Sequence, residues 1–360
     1  MRLAFLLLLS MWLGTMPGLA QDNTPKYSNE FLALGVGARS FGMGMSSVAI
    51  VDDVTAGYWN PAGLRSIDVP YQLSLMHASY FAGIANYDYG AFSAQIDDKS
   101  SASLSLIRFA VDDIPDTRFL FDANGALNYD NIRFFSAADY AAFLSYARTI
   151  DLLDGTDIGG SIKIIHRTVG DFATAWGFGV DLGIQKVWKD WRFGISYRDA
   201  FGTFNSWSHN TEEVDDIYLN TGNILPENTT EITLPRLILG AARKVQAFDF
   251  LSVLATIETD LTFDGKRNTV VSTDFVSIDP HGGIEFGYKN IAFLRAGMGQ
   301  FQQVEEINGG TDWKFTPNFG IGFNIREVMI DYALTDIGDQ AEGLYSHVFS
   351  VRVDFNRNEK

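Results

Sequence analysis

Bulky apolar side chains occupy every odd position of Trp191-Arg192-Phe193-Gly194-Ile195-Ser196-Tyr197-Arg198, and polar residues or glycine occupy every even one. A period of two is the signature of a strand whose faces meet different surroundings. The same alternation runs through Trp176 to Ile184, Phe319 to Ile325 and Phe349 to Phe355, and no stretch after residue 70 has a comparable helical period. The pattern predicts strands over 71–81, 87–96, 102–111, 140–148, 157–167, 173–188 and 191–201 in the first half. In the second half it predicts 231–244, 250–261, 279–288, 291–300, 314–325, 328–334 and 347–355. About fourteen strands result, an even number, and most approach the 9–11 residues that a tilted strand needs to cross a bilayer.

The connections sort by length. Tight charged turns such as Lys189-Asp190, Lys289-Asn290 and Arg326-Glu327 fall on one side, and long loops, including 112–139 and 202–230, on the other. A β-sandwich has no reason to segregate its loops in this way, and a propeller would show a repeat of about 40–50 residues that the chain lacks. The fold class expected is all-β, a transmembrane antiparallel β-barrel of about 14 strands with its apolar face to lipid. By parity the lumen receives Lys163, Arg167, Asp181, Arg192, Arg198, Arg236, Glu258, Asp260, Glu285, Arg295, Asp331, Arg352 and Asp354. It also receives glycines 177, 179, 183, 283, 287, 297, 299, 320 and 322. Glycine within a strand often marks the close approach of another backbone, so these runs suggest a segment inserted in the lumen.

Composition narrows the partners. Mean hydropathy is +0.01, the value expected when a lipid face and a lumen face are averaged. A net charge of −17 repels a phosphate backbone and excludes nucleic acid as a partner. The absence of cysteine removes disulfides, thiolate metal sites and a lipid-anchored N-terminus. Arg2, the apolar run Leu3 to Leu13 and the small residues of Pro17-Gly18-Leu19-Ala20 form an export signal with a cleavage site. The expected organisation is a signal peptide at 1–20, an N-terminal extension and lumen plug at 21–70, the barrel at 71–355 and a tail at 356–360. The expected location is the outer membrane of a Gram-negative bacterium, with outer-membrane lipid as a partner.

Residues 28 to 64 do not alternate. They carry Ala38-Arg39-Ser40-Phe41-Gly42-Met43-Gly44, then Val48-Ala49-Ile50-Val51-Asp52-Asp53, then Trp59-Asn60-Pro61-Ala62-Gly63-Leu64. Gly35-x-Gly37 is no dinucleotide fingerprint, because Ser40 stands where the third glycine belongs and no βαβ unit follows. The ordered series of three motifs resembles the start of the PorV/PorQ family of outer-membrane barrels. Ile114-Pro115-Asp116-Thr117-Arg118, Phe134 to Tyr140 and Leu144 to Arg148 are also similar to that family. Asn60-Pro61-Ala62-Gly63 resembles the FadL family of fatty-acid transporters, and this form departs from the PorV pattern. The resemblance implies a fourteen-stranded barrel with its N-terminal segment folded inside as a plug.

Within such a plug, Arg39 and the pair Asp52-Asp53 need buried counter-charges, which the lumen residues can supply. Gly42, Gly44 and Gly63 permit close approach, Pro61 holds Asn60 extended, and Trp59 serves as a packing anchor. No catalytic, cofactor or metal constellation assembles: the five histidines are scattered and no pair has ligand spacing. A non-enzymatic role follows. The PorV/PorQ resemblance implies an accessory of type IX secretion, with secretion-system proteins and secreted cargo as partners. The FadL resemblance implies the alternative, a passive transporter holding a hydrophobic small molecule. The loop patch Phe119, Leu120, Phe121, Phe134 and Phe135 would serve either.

Overall fold

A computed structural model describes residues 28–356, except 123, 214, 216–217, 219–221, 223, 306–309 and 337–345. The signal peptide and nearly all of the C-terminal tail lie outside the described residues.

Seventeen hydrogen-bonded segments make one closed antiparallel barrel of fourteen strands, because two strands are each broken into collinear halves and one two-residue segment belongs to a loop. The strands are β1 (Tyr71–Tyr80), β2 (Ala85–Asp97), β3 (Ser100–Asp116), β4 (Arg133–Ile150), β5 (Thr156–Val169) and β6 (Ala173–Trp188). β7 joins Trp191–Arg198 to Thr203–His209, and β8 joins Thr230–Thr233 to Arg236–Phe248. β9 (Leu251–Thr262), β10 (Ser277–Tyr288), β11 (Ala292–Glu305), β12 (Thr311–Ile325), β13 (Val328–Thr335) and β14 (Ser346–Phe355) complete the wall. Closure comes from β14 pairing with β1, from Tyr71 opposite Phe355 to Ser79 opposite His347. No described helix is long and apolar enough to cross a membrane.

The alternation read from the sequence is the alternation of the wall. Leu75, Leu106, Leu144, Ile164, Phe178 and Phe319 point outward and are exposed, while their neighbours Ser74, Ser105, Ser145, Lys163 and Asn318 are buried. Short turns gather at one end and the long connections at the other, as expected.

Two boundaries need correction. Strand β4 starts at Arg133, so Phe134 and Phe135 are strand residues opposite Pro115 and Ile114, above the span that the bilayer pattern marks. Phe135 turns inward against the ring of Phe172, so it is not part of a loop patch. Strand β7 does not run unbroken to 201. Its ladder with β8 skips from Arg198–Arg236 to Thr203–Thr233, which leaves residues 199–202 facing only Leu234 and Pro235. Asp199 and Gly202 take left-handed backbone there, and Pro235 has no N–H to pair. Lys163 stabilises the break by contacting Asp181 at 2.9 Å and Asp199 at 2.5 Å.

Residues 28–67 form short helical turns at Glu30–Ala33, Ala38–Gly42, Ala56–Trp59 and Pro61–Ser66. Phe31, Val36, Phe41, Val54, Trp59 and Leu64 are buried among them. Four turns this short have little stability of their own, so contacts to the wall must hold them.

Candidate functional site

A chain of alternating charge joins residues 28–67 to the wall. Arg192 of β7 meets Asp52 at 3.1 Å, Asp52 meets Arg39 at 2.6 Å, and Arg39 meets Glu285 of β10 at 3.0 Å. Glu285 then meets Arg295 of β11 at 2.7 Å, and Arg295 meets Asp331 of β13 at 2.6 Å. On the next strand, β14, Arg352 faces Asp53 and also contacts Asp354. Burial opposes ionisation of Asp52, but Arg39, Arg192 and Arg352 outweigh it and hold its carboxyl below the usual range. Burial likewise opposes charge on Arg39, yet Glu285 and Asp52 keep its proton bound well beyond the ordinary limit. A carboxylate with a depressed folded-state pKa stabilises fully above its unfolded value near about 3.9 and loses that contribution as pH falls through the folded value. The contact between Asp52 and the barrel is therefore constant at neutral pH.

The remaining motif residues are brought to the wall by hydrogen bonds. Asn60 caps the turn that starts at Pro61 by accepting from the Ala62 N–H, and its Nδ2 donates to the carbonyls of Val48 and Ile184. Trp59 is 4% exposed and donates from Nε1 to the Val36 carbonyl. Arg198 lies over the rings of Tyr58 and Trp59 and donates to the Tyr58 carbonyl. Arg236 meets Asp260 at 3.3 Å, and Glu258 accepts from the Val48 N–H at 2.7 Å. Gly63 packs on the Val51 carbonyl. Lys163 pairs with Asp181 and Arg167 lies over the Phe31 ring, so all thirteen lumen charges singled out from the sequence contact residues 28–67 or one another.

The strand glycines divide. Gly183, Gly283, Gly297 and Gly320 face Asn60, Met43, Gly44 and Gly42, whereas Gly177, Gly179, Gly287, Gly299 and Gly322 face side chains of the wall. Sequence reasoning missed Gly159 against Pro61 and Gly194 against Val48. Gly44 has φ +64 and stands so close to β11 that a Cβ on Gly297 would lie 2.1 Å from its nitrogen. The obstructing atoms are backbone and cannot rotate away. Gly297→Ala is expected to unseat residues 43–44 and raise single-channel conductance in planar bilayers, with the barrel still heat-modifiable on gels. Wild-type conductance in that variant would show that the close approach does not obstruct flow.

The wall itself has a window. β10 and β11 pair from Tyr288–Ala292 to Gly282–Met298 and then part. Beyond that point β10 pairs with β9 and with the loop segment Val271–Ser272, while β11 pairs with β12. Asn268 of the same loop exchanges two hydrogen bonds of 2.8 Å with the backbone of Gln303. The opening is therefore bounded below by Gly282–Met298 and above by residues 268–272. Pro280 has no N–H, as an unpaired edge tolerates, and the facing edge bulges between Gly299 and Gln302.

Outside the window lies an apolar groove of about 590 Å³, lined by Ile257, Ile284, Met298, Phe301, Phe315 and Phe319 among others. Inside lies a polar cavity of about 560 Å³ lined by Arg198, Arg236, Glu258, Asp260, Asp279 and Gln300 among others. His281 and Phe301 line both. The aromatic loop residues take no part in this opening. Phe119 and Phe121 are exposed beside a half-buried Leu120, and Phe134 is exposed on the outer wall.

A closed fourteen-stranded antiparallel barrel of this construction is the fold of the FadL-like outer-membrane barrels. By sequence the chain matches no family model and no curated protein. By structure it is similar to the toluene transporter TbuX of Ralstonia pickettii, at 16% identity over 89% of this chain and 99% of that one, with a TM-score of 0.53. It is similar to the P. putida toluene transporter TodX, at 15% identity over 90% and 99%, with a TM-score of 0.56. A Pseudomonas aeruginosa FadL homologue aligns at 13% identity over 89% and 98%, with a TM-score of 0.50. Identities this low establish the fold alone.

Proposed function

We propose that the protein is a passive, non-enzymatic transporter of hydrophobic small molecules in the outer membrane of a Gram-negative bacterium. The observation that carries this reading is the window between β10 and β11, where an apolar groove on the lipid face and a lumen cavity share His281 and Phe301. A hydrophobic solute that reached the cavity through the long loops would pass sideways between Gly282–Met298 and the 268–272 loop into the membrane. Residues 28–67 act in this reading as a plug that closes the straight path: Arg65 ties the segment to Ser101, Thr149 and the Asp98 carbonyl near the short-turn end. Toluene transporters among the structural neighbours support the same solute class. Nothing comparable favours the secretion role implied by the PorV/PorQ resemblance.

The chain has no cysteine, so a cysteine pair at Pro280 and Gln300 would be the sole target of a short bismaleimide linker across the window. Cross-linking is expected to reduce toluene uptake into proteoliposomes several-fold, while the unlinked double variant transports normally. Undiminished uptake after complete cross-linking would overturn the lateral route.

A further inference from the structure

Beside the window the wall holds four titratable groups in a two-by-two block. Glu258 and Asp260, two apart on β9, point to the same inward face, and they stand opposite His281 and Asp279 of β10. Glu258 Oε1 lies 3.9 Å and Asp260 Oδ1 3.3 Å from His281 Nε2, and one ligand atom from each of the three lies within 4.8 Å of the others.

The rest of each side chain is already held. Glu258 Oε2 accepts from the Val48 N–H, and Asp260 Oδ2 accepts from Arg236. His281 Nδ1 is 3.1 Å from both the Gly44 carbonyl, which can only accept, and the Ser46 hydroxyl, which can accept as well as donate, so a proton on Nδ1 satisfies both contacts. A neutral ring in that tautomer aims the Nε2 lone pair at two carboxylate oxygens. Three electron-rich atoms converge on one point, and a cation must occupy it, either a proton on Nε2 or a metal ion.

The geometry favours the metal. Bond lengths of about 2.0–2.1 Å to nitrogen and oxygen place tetrahedral neighbours about 3.3–3.4 Å apart, which Asp260 Oδ1 already meets at 3.3 Å from Nε2, while Glu258 Oε1 at 3.9 Å has only a short way to close. The orientation of His281 by a backbone carbonyl, and of each carboxylate by its second oxygen, is the outer-shell support that metal ligands receive. Asp279 brings a further buried oxygen, Oδ1, with no hydrogen-bond partner. It also places a second carboxylate directly opposite Asp260, and the Arg236 guanidinium at 3.3 Å from Asp260 offsets only one of these like charges. The polar cavity gives an ion a wet path to the point.

We infer that Glu258, Asp260 and His281 bind a divalent transition cation, with zinc the best match to one imidazole and two carboxylates. The bound ion would lock Gly44 and Val48 to β9 and β10 at the inner lip of the window. This assignment is independent of what the barrel conducts.

The test uses the full-length folded barrel in detergent, stripped with EDTA and titrated with Zn²⁺ alone by calorimetry, with Mg²⁺ and Ca²⁺ as comparisons. One Zn²⁺ per chain is expected, with much weaker Mg²⁺ and Ca²⁺ binding. His281→Gln and Asp260→Asn should each weaken Zn²⁺ by more than the roughly 10–100-fold that loss of an outer-shell partner costs. Arg236→Gln, which removes only outer-shell support, should stay within that range. Co²⁺ as a coloured substitute should show visible bands in the wild type that His281→Gln loses. Heat-modifiable migration confirms that each variant is folded. Absence of stoichiometric Zn²⁺ binding by folded wild type, or equal affinity in folded His281→Gln, would leave a proton as the occupant and overturn the site.

Discussion

Deletion of His347–Phe355 is expected to abolish the barrel outright, leaving no heat-modifiable band and no protease-resistant core in outer-membrane fractions. β14 is the closing strand. It pairs with β13 from Val328–Val353 to Thr335–Ser346 and with β1 from Tyr71–Phe355 to Ser79–His347. Removing it exposes the edges of both neighbours inside the bilayer, where no water can satisfy a free N–H or C=O. Each unsatisfied group costs several kcal/mol there, and an edge of eight or nine residues presents several at once. The loss would exceed the whole stability of an ordinary domain, about 5–15 kcal/mol. The strand also carries Arg352, the partner of Asp53, and Ser350, whose hydroxyl accepts from the Ala38 N–H. Residues 28–67 would lose contacts along with the wall. A normally migrating barrel from the deletion variant would refute both the strand assignment and the closure.

The alternation made the wall legible because a closed barrel in lipid imposes one rule on every residue that crosses the bilayer. Parity alone placed Arg192, Arg198, Glu258, Glu285 and Arg352 on the inner face, and each contacts residues 28–67. Features that depend on the neighbouring strand were not legible. The residues from Ile278 to Gly283 can alternate whether or not β11 pairs beside them, so the window leaves no trace in either strand taken singly. The metal-type cluster was half visible: Glu258 and Asp260 share a face by parity, but His281 joins them only through the register that sets it opposite Glu258. The break in β7 left only a slight mark: Asp199 puts a polar residue on the odd, apolar register for a single position before Phe201 resumes it, and Pro235 stands across the ladder. Phe134 and Phe135 misled for a different reason: their strand runs past the membrane, where the bilayer no longer dictates which residues are apolar.

The largest effect of a single substitution is expected at Arg295, with Arg295→Leu lowering the stability of the refolded barrel by about 3–5 kcal/mol, the usual cost of removing one partner from a buried ion pair. Arg295 is 1% exposed and lies between Glu285 and Asp331, at 2.7 and 2.6 Å. Leucine would fill much of its volume but leave two carboxylates facing each other without a shared cation. Glu285 would keep Arg39, whereas Asp331 has no other ion-pair partner among the described residues. Most of the penalty should therefore fall on Asp331. It follows that Arg295→Leu combined with Asp331→Leu should recover much of the loss, because the stranded charge is gone and Glu285 still holds Arg39. Arg295→Leu combined with Glu285→Leu should recover less, since it takes from Arg39 its partner on the wall, leaving it Asp52 alone, and still strands Asp331. Denaturant unfolding in lipid vesicles can rank the three variants. If the Arg295→Leu, Asp331→Leu pair is no more stable than Arg295→Leu alone, the penalty is one of shape and not of charge, and the alternating chain from Arg192 to Asp331 is not what fixes residues 28–67 to the wall.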